Sequence, residues 1–183
     1  NPAFVTADLL SQAEHGADSQ AILVTTSEDL ALSVHQMIKE KLTVLTRKDL
    51  AKQALEHSRI LVFNNIDEAI SFSNLYAPEH LIIQTNDYPL LTEQIKNAGS
   101  VFLGPYTPES AGDYASGTNH TLPTNGYARA YSGVNLDSFC KKITFQEITA
   151  KGIQHLGPTI EVMASHELLE AHKNAVTIRL KSL

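Results

Sequence analysis

The sequence predicts an α/β fold in which helices cover a mostly parallel sheet, Rossmann-like but incomplete, followed by a C-terminal helical arm. Two observations predict it: short apolar, β-branched runs alternate with helical patterns over the first two-thirds of the chain, and helical patterns dominate the remainder. Strands separated by helices of this length favour crossover connections between parallel strands. No G-x-G-x-x-G motif follows a predicted strand, so the pattern alone does not indicate a dinucleotide site.

The α/β part begins with a helix predicted over 6–16, with Thr6 as its N-cap and Gly16 as its stop. Ser27 and the two acids after it mark the start of the second helix, and Gly99 is expected to follow the last helix of this part as its C′ residue. The predicted strands cover 21–26, 59–64, 80–85 and 100–104. The other helices of this part cover 27–42, 46–58, 65–77 and 87–99.

A polar, glycine-punctuated segment over 104–135 interrupts the pattern, and its length predicts either a functional loop or a disordered one. Three helices are predicted after it, and the first ends at Gly157. They cover 145–157, 157–165 and 166–183. We therefore expect an α/β domain over 1–135 and a helical arm over 136–183, which cannot bury its own apolar stripe and should pack on a second subunit.

Composition excludes several classes of function. The chain has 183 residues and 43% hydrophobic content, enough for one domain with a core. The net charge of −6, with both signs interspersed, argues against nucleic acid or a membrane surface as a partner. No apolar run is long enough to span a bilayer. Cys140 is the one cysteine, which excludes an internal disulfide and favours a cytoplasmic location.

Two pairs of residues could carry chemistry. Gln12 and His15 are spaced three apart on a predicted helix and share a face, although a surface glutamine and a helix-terminal histidine would give the same pattern. Glu79 and His80 lie where a helix gives way to a strand, because Pro78 disfavours helix in the residue before it. They could transfer protons, or they could be a solvated glutamate and a strand-edge histidine.

The polar segment supplies two further candidates, Asp113 and His120, between flexible glycines at 112 and 117. The segment is poor in lysine and glutamate, unlike a solvated linker, but a mobile surface loop remains an alternative. Glu167 and His172 in the last predicted helix would by themselves be ordinary exposed residues.

Taken together, these stretches resemble the histidinol dehydrogenase family. The resemblance spans nearly the whole chain, and the combination of APEHL, SAGDYASGTNH and the EAHxxAVxxR pattern is very specific. The matching segments are LLSQAEHGADSQAILVT, YAPEHLIIQT, GPYTPESAGDYASGTNHTLPTNGYARAYSGV and LEAHKNAVTIRL. Chains of this family are longer, and this one, which starts Asn1-Pro2 without a methionine, resembles their C-terminal portion.

The resemblance implies an NAD-linked, zinc-dependent oxidation of L-histidinol through L-histidinaldehyde to L-histidine. His80 would take the alcohol proton, and Glu79 would activate water at the aldehyde stage. His120 and Glu167 would contact the substrate together with the metal ligands and His80. The implied zinc ligands are Gln12, His15, Asp113 and His172, the last from the partner in a domain-crossed homodimer. The NAD-binding residues remain unassigned, since the family carries them mainly outside this portion.

Two other functions stay open at this point. The chain could be a zinc hydrolase with Glu79 as the general base, or a non-catalytic α/β scaffold. We also expect this chain on its own to be inactive in histidinol oxidation, because it carries no phosphate-binding turn.

Overall fold

The computed structural model describes all 183 residues and contains two compact units, Asn1–Phe139 and Cys140–Leu183. The strands are β1 (Ile22–Thr25), β2 (Arg59–Val62), β3 (His80–Ile83) and β4 (Ser100–Leu103). The helices are α1 (Pro2–Ala13), α2 (Glu28–Leu42), α3 (Lys48–His57), α4 (Ile66–Tyr76), α5 (Tyr88–Thr92), α6 (Glu109–Tyr114), α7 (Ala150–His166) and α8 (Glu170–Leu180). The α/β prediction is confirmed. None of the helices combines the length and the hydropathy of a bilayer-spanning segment.

The strands form two separate two-stranded parallel sheets, β1 with β2 and β3 with β4, where the sequence suggested one. Helices connect the strands of each pair, as parallel pairing requires. In the second sheet His80 pairs with Ser100 and Ile82 with Phe102. One apolar cluster centres on Ile70, Ile83 and Leu91, where α4 and α5 pack on β3. A second cluster, on Ala13, Ala51 and Ala54, joins α1 to α3.

Helix α1 begins earlier and ends earlier than predicted. The Asn1 side chain accepts a hydrogen bond from the Ala3 N–H (2.9 Å) and caps the helix, and Pro2 occupies the first turn, where its missing N–H costs nothing. The predicted cap, Thr6, is instead a buried residue inside the helix. The helix ends at Ala13, so His15 lies in the turn that follows and is not on the helix.

Helix α5 has five residues where the sequence predicted a helix over 87–99. A tertiary contact explains the difference, because Asn74 of α4 forms hydrogen bonds with the segment that would have continued α5. Its side chain accepts from the Lys96 N–H (2.7 Å) and donates to the Gln94 carbonyl (2.9 Å). Gly99 is therefore not a helix C′ residue, and its N–H donates to the Pro78 carbonyl (2.9 Å) at the start of the β3–β4 sheet.

Two predictions beyond β4 are also wrong. The segment 104–135 is not a continuous loop, because it contains α6 and a 3₁₀ turn at Tyr127–Arg129, and a second such turn follows at Leu136–Phe139. The helix predicted to end at Gly157 continues to His166 as α7, through Pro158. A Cβ on Gly157 would lie 2.8 Å from Leu180 Cδ1, so this glycine lets α8 approach α7 closely. In this helix glycine serves packing and does not terminate the helix.

Candidate metal centre and active site

Three side chains of the first unit form a cluster suited to a metal ion. One ligand atom each from His15, Glu109 and Asp113 lies within 4.8 Å of the other two. Glu109 and Asp113 are four residues apart on α6, so both project from one face of that helix. His15 reaches the cluster from the turn after α1, and its carbonyl accepts a hydrogen bond from Arg47 Nη2 (3.2 Å).

Asp113 therefore lies on a helix and not in the loop that the sequence suggested. The close contact of α6 with β4 explains its placement. A Cβ on Gly112 would lie 2.7 Å from the Phe102 ring, so only glycine lets α6 approach that ring without displacement. The Thr107 hydroxyl donates to the Leu103 carbonyl (2.7 Å) and holds the chain between β4 and α6.

His80, the first residue of β3, faces the same cluster. Its Nε2 lies 3.8 Å from Glu109 Oε1, and its ring centroid lies 5.9 Å from that of Phe102. Burial lowers the pKa of His80, and the charges of Glu79 and Asp113 act in the opposite direction. The lowered pKa favours the neutral imidazole, which is the form that can accept a proton.

Glu109 is the most buried member of the group, with 2% of its side chain exposed. Burial, followed by the hydrogen bond and the charge of Asp113, raises the pKa of Glu109 to about 7. The Gln12 amide lies close enough to act against this rise, although its Nε2 has no hydrogen-bond acceptor in good geometry. Gln12 therefore lies beside the cluster on α1.

Three buried polar atoms around this centre have no hydrogen-bond partner: Gln12 Nε2, His80 Nε2 and Glu109 Oε1. Unpaired buried polar groups are costly and are rare in folded proteins. Their convergence on one spot, beside an imidazole and two carboxylates, fits a site that is completed by a metal ion and a polar ligand. A donor set of nitrogen and carboxylate oxygen suits Zn²⁺ among the divalent cations.

Glu79 is half-buried and precedes β3 directly. Its carbonyl accepts from the Ser100 N–H (2.9 Å), and a Cβ on Gly99 would lie 2.5 Å from that carbonyl oxygen. Gly99 is thus required for the close approach that fixes the backbone of Glu79. Ala77, two residues earlier, has a left-handed backbone (φ 54°), a conformation that often occurs near functional sites.

The structure brings together five of the predicted site residues, all in the first unit: Gln12, His15, Glu79, His80 and Asp113. His120 is exposed, in the segment after α6. Glu167 caps α7 and His172 lies on α8, both in the second unit and both exposed.

Sequence reasoning missed Glu109. The available signal was its spacing of four from Asp113, directly after Pro108, which stands at the N-cap of α6. That spacing has meaning only if the segment is helical, and the sequence predicts a loop there.

Comparison with known proteins gives consistent results. A family model described as histidinol dehydrogenase matches residues 1–180. The chain is 62% identical over 183 residues to a histidinol dehydrogenase of Bacteroides fragilis and 55% identical over 182 residues to that of Pectobacterium atrosepticum. It covers 43% and 41% of those proteins, and they cover all of it. The crystal structure of histidinol dehydrogenase from Elizabethkingia anophelis superposes with a TM-score of 0.91 at 63% identity, over 100% of this chain and 42% of that one.

Proposed function

The chain belongs to the histidinol dehydrogenase family, and from this premise we propose that it forms part of an enzyme that oxidises L-histidinol through L-histidinaldehyde to L-histidine. Because the chain spans about 43% of the length of the curated relatives, we propose the activity for the protein at full family length. The observation that carries the proposal is the cluster of His15, Glu109 and Asp113 beside the buried His80.

We propose Gln12, His15, Asp113 and His172 as the ligands of a zinc ion. The cluster geometry supports His15 and Asp113, and Gln12 lies beside the cluster, where its side-chain oxygen is the atom that would bind the ion. His172 is proposed to come from a second copy of the chain, in a homodimer that exchanges its C-terminal units. When bound, the zinc ion would polarise and orient the substrate's imidazole and amine.

The substrate is held, in this proposal, by the ligand residues together with His80, His120 and Glu167. His120 lies in a polar segment whose side chains suit a small polar molecule. Imidazole and carboxylate groups are suitable partners for the imidazole and ammonium groups of histidinol. Fixing the substrate in this way orders the reacting atoms before chemistry begins.

His80 is the proposed base for the hydroxyl proton of the alcohol. Its lowered pKa keeps the imidazole neutral near pH 7, so a ring nitrogen can accept the proton as hydride leaves the carbon. Glu79 is the proposed base for water, taking a proton from the molecule that adds to the aldehyde. His80 releases the first proton to solvent, and its neutral imidazole then accepts the hydroxyl proton of the hydrate in the second oxidation.

NAD is the proposed hydride acceptor, and each of the two oxidations would transfer one hydride from the substrate to one NAD. We assign no residue of this chain to its binding. The cytoplasm is the proposed compartment, since an exposed lone cysteine suits a reducing environment.

The test uses the purified protein at full family length, with histidinol and NAD. We expect two NADH per histidinol consumed, and loss of activity with a zinc-selective chelator that added zinc reverses. His15→Ala should abolish tight zinc binding, because neutral imidazole is a strong zinc ligand, whereas the exposed His35→Ala on α2 should bind zinc normally. Substrate hydrolysis without NADH would favour a zinc hydrolase, and stoichiometric zinc with normal turnover in His15→Ala would exclude His15 as a ligand.

A further inference from the structure

We propose that Glu109 is a positioning residue, whose carboxylate holds the His80 imidazole for proton transfer and does not bind the metal. This inference rests on the proposed function, because it takes His80 as the base. Glu109 has no role in the steps described above, yet it is the most deeply buried side chain of the cluster.

The Glu109 carboxyl group interacts with Asp113 and Gln12, and one of its oxygens faces the His80 imidazole. Glu109 Oε1 and His80 Nε2 are 3.8 Å apart, and each is a buried atom without a hydrogen bond. Their separation exceeds a hydrogen bond, and catalytic contacts of this kind commonly tighten when substrate binds. Neither atom has a hydrogen-bond partner, and pairing of the two would satisfy both.

The Phe102 ring holds both partners in place. It contacts the His80 imidazole from the adjacent strand, and it lies against Gly112, in the helix that carries Glu109. Because Phe102 is itself buried, neither the imidazole nor the helix can move far from it. The relative placement of His80 and Glu109 is thus built into the packing of β3, β4 and α6.

Burial separates Glu109 from the proposed ligands. His15 is exposed and Asp113 is partly exposed, whereas Glu109 is almost inaccessible. A metal ion that leaves room for substrate has to remain open on one side. The accessible pair His15 and Asp113 meets this requirement, and Glu109 lies on the buried side of the cluster.

This arrangement assigns the two ring nitrogens of His80 different tasks. Nε2–H donates to Glu109, which leaves Nδ1 to accept the substrate's hydroxyl proton. A carboxylate behind a catalytic imidazole fixes its tautomer and stabilises the imidazolium that forms.

The kinetic test uses the protein at full family length. Glu109→Gln should lower kcat for histidinol by about 10–100-fold, the usual effect of losing such a supporting contact, with zinc content and KM close to wild type. The double variant Glu109→Gln/His80→Ala should be no slower than His80→Ala alone, because Glu109 acts through His80. Ser110→Ala, an exposed neighbour on α6, is the matched control and should behave as wild type.

Other outcomes overturn the inference. Loss of zinc in Glu109→Gln, equal to that in His15→Ala, would make Glu109 a ligand. Independent, multiplicative losses in the double variant would show that Glu109 does not act through His80.

A spectroscopic test separates this inference from the proposed function. The proposed function fails if the wild-type protein makes no NADH from histidinol, whereas the spectroscopic test does not depend on activity. In chelator-treated protein labelled with ¹⁵N-histidine, we expect an imidazole Nε2–H resonance from His80 in wild type and Ser110→Ala. Glu109→Ala should lose this resonance, and the volume-conserving Glu109→Gln should shift it. If Glu109→Ala does not fold, Glu109→Gln alone provides the test. A His80 resonance that is the same in all variants overturns the inference whatever the activity.

Discussion

At the scale of single residues, Glu79 and His80 are adjacent but occupy different environments. The His80 ring packs on Phe102 and faces Glu109, while Glu79 precedes the strand and is half-buried. Successive residues of an extended segment project to opposite sides, so the two groups are not expected to serve the same proton. An imidazole with a lowered pKa suits the alcohol proton, and a carboxylate beside water suits the hydration step.

We therefore predict that variants at these residues separate the two oxidations. In the protein at full family length, His80→Ala should slow both oxidations by about 10²–10⁴, the usual cost of losing a general base. Glu79→Gln should slow aldehyde oxidation far more than alcohol oxidation, because only the aldehyde requires added water. The measurement is single-turnover NADH formation with histidinol and histidinaldehyde supplied separately.

The matched control for Glu79→Gln is Glu93→Gln, an exposed carboxylate just after α5, which should leave both rates unchanged. Equal impairment of the two oxidations by Glu79→Gln would contradict the division of labour and make Glu79 an orienting partner of His80.

At the scale of elements, α6 determines where the cluster lies. Its six residues carry Glu109 and Asp113, and its contact with the rest of the unit includes Gly112 lying against Phe102. A helix this short has little stability of its own, so packing must hold it in place. The site therefore depends on a glycine that binds nothing.

We predict that Gly112→Ala weakens zinc binding. Helix propensity favours alanine by about 1 kcal/mol, but a Cβ placed 2.7 Å from the Phe102 ring forces a shift that typically costs about 1–3 kcal/mol. Moving α6 away from β4 displaces Asp113 from His15, and we expect zinc affinity to fall about 10-fold. Competition with a zinc chelator measures it, with Ser110→Ala on the same helix as control. Unchanged affinity together with raised stability would show that the ring yields and that the contact does not position the helix.

The same elements show how far sequence reasoning reaches. Strands such as β1 and β3 can be recognised in the sequence because short runs of β-branched residues favour strands. The start of α2 can be recognised as well, because Ser27 is its N-cap. Helix α5 was predicted too long because Asn74, distant in sequence, bonds to the segment after it. Helix α6 was missed because two turns rich in small residues have no periodic apolar pattern. With α6 undetected, Glu109 could not be grouped with Asp113.

At the scale of the whole molecule, the second unit exposes much apolar surface. Its two helices bury only Gly157 and Ala164, while several large apolar side chains on them are half or more exposed. They include Val162 (58%), Met163 (60%) and Ile178 (54%). A soluble monomer rarely exposes so many large apolar side chains on one pair of helices. This surface supports the proposal that the unit docks on a second copy of the chain and delivers His172 to that copy's site.

The proposed exchange of C-terminal units within the homodimer makes a prediction that requires two variants to be combined. His15→Ala and His172→Ala proteins should each be inactive at full family length, because each lacks a proposed ligand at both sites of the dimer. If His172 comes from the partner, a mixed dimer has one site with both substitutions and one site with neither. Random mixing should therefore restore about a quarter of wild-type activity, since half of the dimers are mixed and each has one intact site.

If both ligands of a site came from one chain, every site of every mixed dimer would lack one of them, and mixing would restore nothing. The two variants are co-expressed with different affinity tags, and dimers that carry both tags are purified. NADH formation by this doubly tagged fraction should reach half of the wild-type activity if the units are exchanged. Co-expression of His15→Ala with the control His35→Ala separates complementation from simple dilution, because half of the sites are then intact under either arrangement. An inactive doubly tagged fraction from the first pair, beside a half-active one from the second, would contradict the exchange.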